Sequence, residues 1–172
     1  MTLPSMVSYT NEETNIAIVV PQEWTLETIN PSQFRIFGLP ESGFEKYFSE
    51  YRSTMSYMLA QSNSTDSDWF KTLIQQSNQE MEQEYNQYKL VNQKHCQISD
   101  QPAYIKHYEW TEESTDLRLS QLQALIYRDY TSFYLVNAAT LKSLEDKYIP
   151  IFDAILQSTQ IINKEQGTPE QY

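Results

Sequence analysis

Apolar positions along this chain change period several times, and each change marks an element. Residues 16–20 (Ile16, Ala17, Ile18, Val19, Val20) are a short, largely β-branched run, which reads as a buried strand. Pro21 ends it and Trp24 follows. Asn30-Pro31 marks a turn, and Phe34, Ile36 and Phe37 form a second strand closed by Gly38 and Pro40. Residues 54–59 read as a third strand, and the small polar residues 61–66 as a loop. Then the period lengthens. Trp69/Phe70, Leu73/Ile74, Ser77, Met81 and Tyr85 recur about every four residues, against Gln, Asn and Glu on the other face. The spacing predicts the longest helix here, with Ser67 as its N-cap and Asp68 facing the positive end of its dipole.

After residue 88 the period returns to two. Residues 89–98 predict a strand with an exposed face. Tyr104, Lys106, Tyr108 and Trp110 then alternate with Ala103, Ile105, His107 and Glu109. The acidic stretch 112–116 predicts a hairpin turn. Residues 117–127 are apolar on both parities, which predicts a central strand buried on both faces or a bulge. Residues 131–139 return as another strand. Leu141, Leu144, Tyr148, Ile151/Phe152 and Ile155 make a second helical stripe. Pro150 interrupts it, so the main helix is expected from near Ile149 after a looser turn. One domain over residues 1–162 is expected, loose over its first five residues and followed by a disordered tail over 163–172.

The stretch 41–51 resists assignment. Phe44, Tyr47, Phe48 and Tyr51 fall at i, i+3, i+4 and i+7, one face of a helix, but fit an irregular excursion equally well. Flanked by Glu41, Glu45 and Glu50, these rings are the candidate partner-binding surface, since interfaces favour aromatic anchors ringed by polar groups. Their other reading is a cover packed on the sheet.

Composition narrows the function classes. A formal net charge of −11 argues against nucleic acid and anionic membranes and favours a protein partner with a basic surface. Only three glycines are present, which leaves few residues suited to left-handed turns. A single cysteine, Cys96, permits no internal disulfide. No run approaches the roughly 18–20 apolar residues of a membrane helix. The N-terminus lacks a basic region and an apolar run, so a cytoplasmic location is expected as the sequence stands. A leader preceding it would instead imply the periplasm or envelope.

The sequence offers little that resembles chemistry. His95, His107 and Cys96 are too few for a zinc site without acidic help. A Cys96–His107 nucleophile pair would have to form across neighbouring strands. No Gly-x-Ser-x-Gly elbow or phosphate-cradling glycine loop exists. The carboxylate pairs Glu12/Glu13, Glu80/Glu84 and Glu112/Glu113 fall in turns or on a polar helix face. No catalytic residue, cofactor or metal is expected.

The order of elements carries a resemblance. Pro21-x-x-Trp24 closes an early strand pair and a long helix follows. A strand then leads into Gln101-Pro102-Ala103, Tyr- and Trp-bearing strands come next, and the chain closes on Tyr148-x-x-x-Phe152-x-x-Ile155-Leu156-x-Ser158. This resembles the PsbP-like fold family, including the bacterial DcrB-like domains, although Gln101 stands where the family places glycine. The resemblance implies an α+β fold, a single-domain α-β-α sandwich with a central antiparallel sheet and helices on both faces. It also implies a non-enzymatic adaptor or assembly role, as a monomer or weak dimer. Two alternatives remain open. One is a small-molecule or lipid carrier with a pocket lined by Trp69, Trp110, Tyr108 and Tyr134. The other is an acidic secretion chaperone.

Overall fold

The computed structural model describes residues 3–162; the tail expected over 163–172 lies outside them. Ten strands and two helices follow one another as β1 (Met6–Asn11), β2 (Ile16–Pro21), β3 (Thr25–Asn30), β4 (Gln33–Phe37), β5 (Thr54–Gln61), α1 (Trp69–Glu84), β6 (Lys89–Ile98), β7 (Gln101–Glu112), β8 (Leu117–Asp129), β9 (Ser132–Leu141), α2 (Glu145–Gln157) and β10 (Gln160–Ile161). A seven-stranded antiparallel sheet runs β3-β4-β5-β9-β8-β7-β6. A smaller sheet, β1-β2-β10, lies apart from it.

The central strands dictate the layers. On β7, β8 and β9 both parities are buried, so both faces of the large sheet need cover. On one face Ile105, Leu122, Ala124, Val136 and Ala138 pack with Ile151, Phe152, Ile155 and Leu156 of α2 and with Ile16, Ile18 and Val20 of β2. On the other, Tyr104, Leu125 and Phe133 pack with Trp69 and Ile74 of α1. This is the expected sandwich with helices on both faces, and the small sheet shares a layer with α2. Each of the five buried α2 side chains contributes about 1.5–3 kcal/mol as an upper bound.

Several local expectations are corrected. Ser67 does not cap α1: Asp68 occupies the N-cap position without a side-chain cap bond, and the Ser67 hydroxyl turns to the Asp68 carboxylate, 3.0 Å away. α2 begins at Glu145, not near Ile149. Pro150 is solvent-exposed and removes one N–H from the helix ladder, while Tyr148, Ile151 and Phe152 hold the turns on either side against the core. Left-handed backbone is supplied mostly by residues other than glycine: Asn15, Gln87, Ser99, Asp100 and Asp116 all have positive φ, beside Gly43. Ser99 and Asp100 (φ 53° and 62°) form a two-residue turn between paired Ile98 and Gln101, the twist that joins β6 to β7.

The α1 face is less apolar than the other and holds a buried lysine. Lys106 of β7 is 1% exposed. Its ammonium donates to Asn78 Oδ1 at 2.8 Å and reaches Ser77 Oγ at 3.5 Å, with the Tyr108 ring 5.8 Å away. No carboxylate bonds it. Burial pushes its pKa down to about 8, against the pull of Glu82. The unfolded chain keeps this lysine charged to above pH 10, so between these values it binds more protons than the folded one. The contribution of Lys106 to stability therefore rises with pH across this window, by about 1–2 kcal/mol from pH 7.5 to 9.5. Cys96 and the buried tyrosines, whose pKa values are raised, act in the opposite sense as pH approaches 9.5. The test is therefore a difference: in chemical denaturation the stability of the parent relative to Lys106→Met should grow by this amount between the two pH values.

Candidate functional site

The chain leaves β4 at Phe37 and re-enters the sheet at Thr54, and the segment between them stands out from the sheet. Its base is a short ladder. Gly38 N–H donates to the Ser53 carbonyl (2.8 Å), Glu41 N–H to the Tyr51 carbonyl (2.9 Å), and Arg52 Nη1 to the Gly38 carbonyl (3.1 Å). No helix forms above it. Tyr47 and Phe48 both donate to the Phe44 carbonyl, a single turn that is not propagated. Gly43, at φ 97°, bends the chain into that turn, and its N–H is held by the Glu45 carboxylate at 3.0–3.1 Å.

The four rings contact one another. Phe44–Tyr51 centroids lie 5.5 Å apart, Phe48–Tyr51 5.2 Å and Tyr47–Phe48 6.4 Å. Phe44, Phe48 and Tyr51 are half-buried, Tyr47 is 41% exposed, and none belongs to either core. Phe44, Phe48 and Tyr51 line a cleft of about 250 Å³ with Pro40, Ser42, Ser49 and the three glutamates, and Tyr47 joins the cluster through its contact with Phe48. All seven residues singled out from the sequence are therefore brought together. The helical reading of their spacing fails because one turn cannot pay the nucleation cost of a helix with no sheet to pack on.

The acids play unequal parts. Glu45 and Glu50 are exposed, but Glu41 turns inward to α2. Its carboxylate accepts from Lys147 Nζ (2.5 Å) and from the Tyr148 hydroxyl. Burial alone would raise the Glu41 carboxyl. The bonds from Lys147 and Tyr148 and the lysine charge outweigh it and hold the group below its ordinary value. Tyr148 is pushed up, first by its own burial and then by Glu41. It is anchored between Trp24 (5.9 Å) and Phe152 (6.1 Å). Gly38 admits this ring, since a Cβ there would stand 3.1 Å from Tyr148 Cε1. Glu50 pairs with Arg52 at 3.2 Å, and Lys46 lies over the Tyr47 ring at 5.6 Å. Charges on the loop are thus nearly balanced, and the −11 of the chain resides elsewhere.

Sequence reasoning missed Gly38, Arg52, Lys147 and Tyr148 as the loop's tether. Glycine and proline flanking the excursion were a local signal. Nothing local links position 41 to 147 and 148.

The other candidate groups are not assembled for chemistry. Cys96 lies opposite Ala103 and His107 opposite Asn92, several residues apart along the same pair of strands. Burial raises the Cys96 thiol. His107 Nε2 meets Ser120 Oγ at 2.7 Å, and that hydroxyl also donates to Glu145 at 2.9 Å. A nucleophilic triad needs the acid on the far imidazole nitrogen and an accessible serine. Here both groups meet at Nε2, and Ser120 is fully buried. Burial also holds His107 below its ordinary pKa despite Glu145 and Glu109. Next to it Glu109 accepts from Arg118 (3.1 Å) and Lys142 (2.6 Å), a structural ion cluster. Among the described residues no three of His, Cys, Asp and Glu are grouped to hold a metal ion, and no helix is long and apolar enough to cross a membrane. The four rings proposed for a carrier pocket do not share one: Tyr134 faces α2, whereas Trp69, Tyr108 and Trp110 share the opposite face.

No family model matches the chain, and no curated protein matches it. Solved structures do. LpqN of Mycobacterium tuberculosis, involved in cell envelope biogenesis, aligns with TM-score 0.68 and 13% identity over 92% of this chain and 91% of its own. The cyanobacterial PsbP of Synechocystis gives 0.60 and 12% over 94% and 95%. The Ran-binding protein Mog1p of Saccharomyces cerevisiae gives 0.58 and 8% over 95% and 98%. The chain has the PsbP-like fold.

Glu41→Ala should free the loop. Tyr148 would lose its acceptor, and global stability should fall by about 1–2 kcal/mol in denaturant titration. Amide exchange at residues 41–51 should accelerate while that of β7–β9 changes only with the global loss.

Proposed function

We propose that this protein is a non-enzymatic binding module that recognises another protein through the aromatic loop at residues 41–51. The observation that carries this reading is that Phe44, Tyr47, Phe48 and Tyr51 pack on one another outside both cores while the loop is fastened at Glu41. A cluster that does not stabilise the sheet, yet is held in place, is a preorganised anchor: ordering it on binding loses little entropy. The names of the neighbours support the coarse reading, since one binds Ran and another serves the cell envelope.

The partner is a protein with a basic surface. The loop is close to neutral, so the rings supply contact area and the field of the whole chain supplies steering. The same field disfavours nucleic acid, and the protein works as a monomer or weak dimer. The apolar contact belongs to Phe48 and Tyr47, with Glu45 and Glu50 on the rim.

Affinity capture from native extract, read by mass spectrometry, tests the assignment. Phe48→Ala and Tyr47→Ala should lower recovery of a specific partner by about tenfold with the fold intact. Tyr130→Ala, which removes a ring that is 79% exposed elsewhere on the surface, should leave recovery unchanged. Capture should also weaken as salt rises. A partner retained by Phe48→Ala and Tyr47→Ala and lost with neither would remove the loop from the interface.

A further inference from the structure

The opposite edge of the large sheet carries a second site, independent of the aromatic loop. β6 ends the strand order, and its outer backbone edge has no strand partner among the described residues. Exposed sheet edges are usually guarded by short length, proline, a bulge, charged side chains or a covering segment, and of these β6 has one bulge and two lysines. β6 has ten residues and no proline, and is exposed from Lys89 to His95. Its one irregularity lies between Leu90 and Asn92, after which the register to β7 is unbroken to Ile98.

Beside this edge, on the α2 side, runs a groove of about 300 Å³. Ile105 and Leu122 form part of its lining, Ile149 and Pro150 of α2 line the far side, and Asn92 and Lys94 line the side of the open edge. A strand added to β6 would send every second side chain towards this groove. The charges here also differ from those of the chain as a whole. β6 contains Lys89 and Lys94 and no acid. By register both sit on the groove face, opposite Glu109 and Ile105. Glu109 is already bonded to Arg118 and Lys142, and among the described residues neither β6 lysine makes an ion pair. Asp153 on the far side is the one carboxylate lining the groove.

We propose that β6 and the groove between it and α2 bind an extended acidic peptide segment of another protein. The segment adds as an eighth strand, seats one aliphatic side chain in the groove and sets a carboxylate beside Lys94 or Lys89. Backbone bonds to the free edge supply affinity, and the groove and lysines select the sequence. A second copy of this chain fits poorly, because edge-to-edge pairing would bring two strands together that carry lysines and no acid.

Two probes test this on the full chain: the acetylated, amidated heptapeptide Thr-Glu-Thr-Leu-Thr-Glu-Thr, whose leucine and glutamates share one strand face, and the same peptide N-methylated at every residue. The unmodified peptide should slow amide exchange at residues 91–97. N-methylation should abolish this protection, because it removes backbone donors and leaves every side chain in place. Replacing the central leucine of the peptide by glycine should weaken binding about tenfold, and Lys94→Glu in the protein about fivefold. Phe48→Ala should bind the peptide as the parent does. Four results would overturn the proposal: no protection of β6 at millimolar peptide; equal binding of the N-methylated form; loss of binding in Phe48→Ala; or protection of β6 without peptide that grows with protein concentration, which would place a second copy on the edge.

Discussion

Burial of β7, β8 and β9 on both faces is the constraint from which the rest of the architecture follows. A strand with one wet face needs one covering layer, and a strand with none needs two. Helix α1 covers one side. On the other, α2 alone is too narrow for a sheet of seven strands, and the small sheet of β1, β2 and β10 completes the layer. Long-range bonds pin that layer. The Tyr134 hydroxyl donates to the Thr14 carbonyl at 2.6 Å, and Tyr57 meets Thr159 at 2.7 Å. Both tie the large sheet to the segments that border β2 and β10. Because these hydroxyls are fully buried, their satisfaction fixes position as well as energy.

The two faces are not equivalent. The α2 face has a continuous apolar centre, with the His107, Ser120, Glu145 and Glu109 cluster at one end. The α1 face mixes rings with amides: Ser77 bonds Gln123, Gln123 bonds Asn137, Asn78 bonds Tyr104 and accepts from Lys106. Polar pairing of this kind positions a helix in one register but contributes less than the same area of hydrocarbon. Helix α1 is thus held by specificity more than by burial, which suits a helix with three buried side chains out of sixteen residues.

How much of this was legible in the sequence depended on whether a residue's environment was set locally. The stripe Trp69, Ile74, Met81 announced α1, and the alternation from Ala103 to Trp110 announced β7, because both faces of those elements have consistent neighbours. β3 was not recognised: it is an edge strand with only Leu26 half-buried, so its pattern carries no period. β10 is two residues long and exists because β2 offers an edge. The start of α2 was obscured by Pro150, whose penalty is local while the packing of Tyr148 and Phe152 is not. The candidate site divided the same way. Its rings were visible as a cluster in sequence. Their tether was not, since Glu41 and Tyr148 meet only when the sheet has brought the β4–β5 loop over the first turn of α2.

That meeting point gives α2 a part in both surfaces. Lys147 and Tyr148 hold the aromatic loop on one side, and Ile149, Pro150 and Asp153 line the β6 groove on the other. Successive residues of a helix point about 100° apart, so one turn can serve two edges of a sheet that lies across it. Pro150 fits this arrangement: a residue that faces the groove and is exposed loses little by giving up its N–H, and its ring adds a rigid apolar wall. The loop and the groove therefore differ in chemistry because they draw on different side chains of the same turn. Aromatic self-packing with balanced charge lies on one side, and a strand edge and two lysines without partners among the described residues on the other. A partner suited to one surface has no reason to fit the other, so the two proposed recognition modes are distinct.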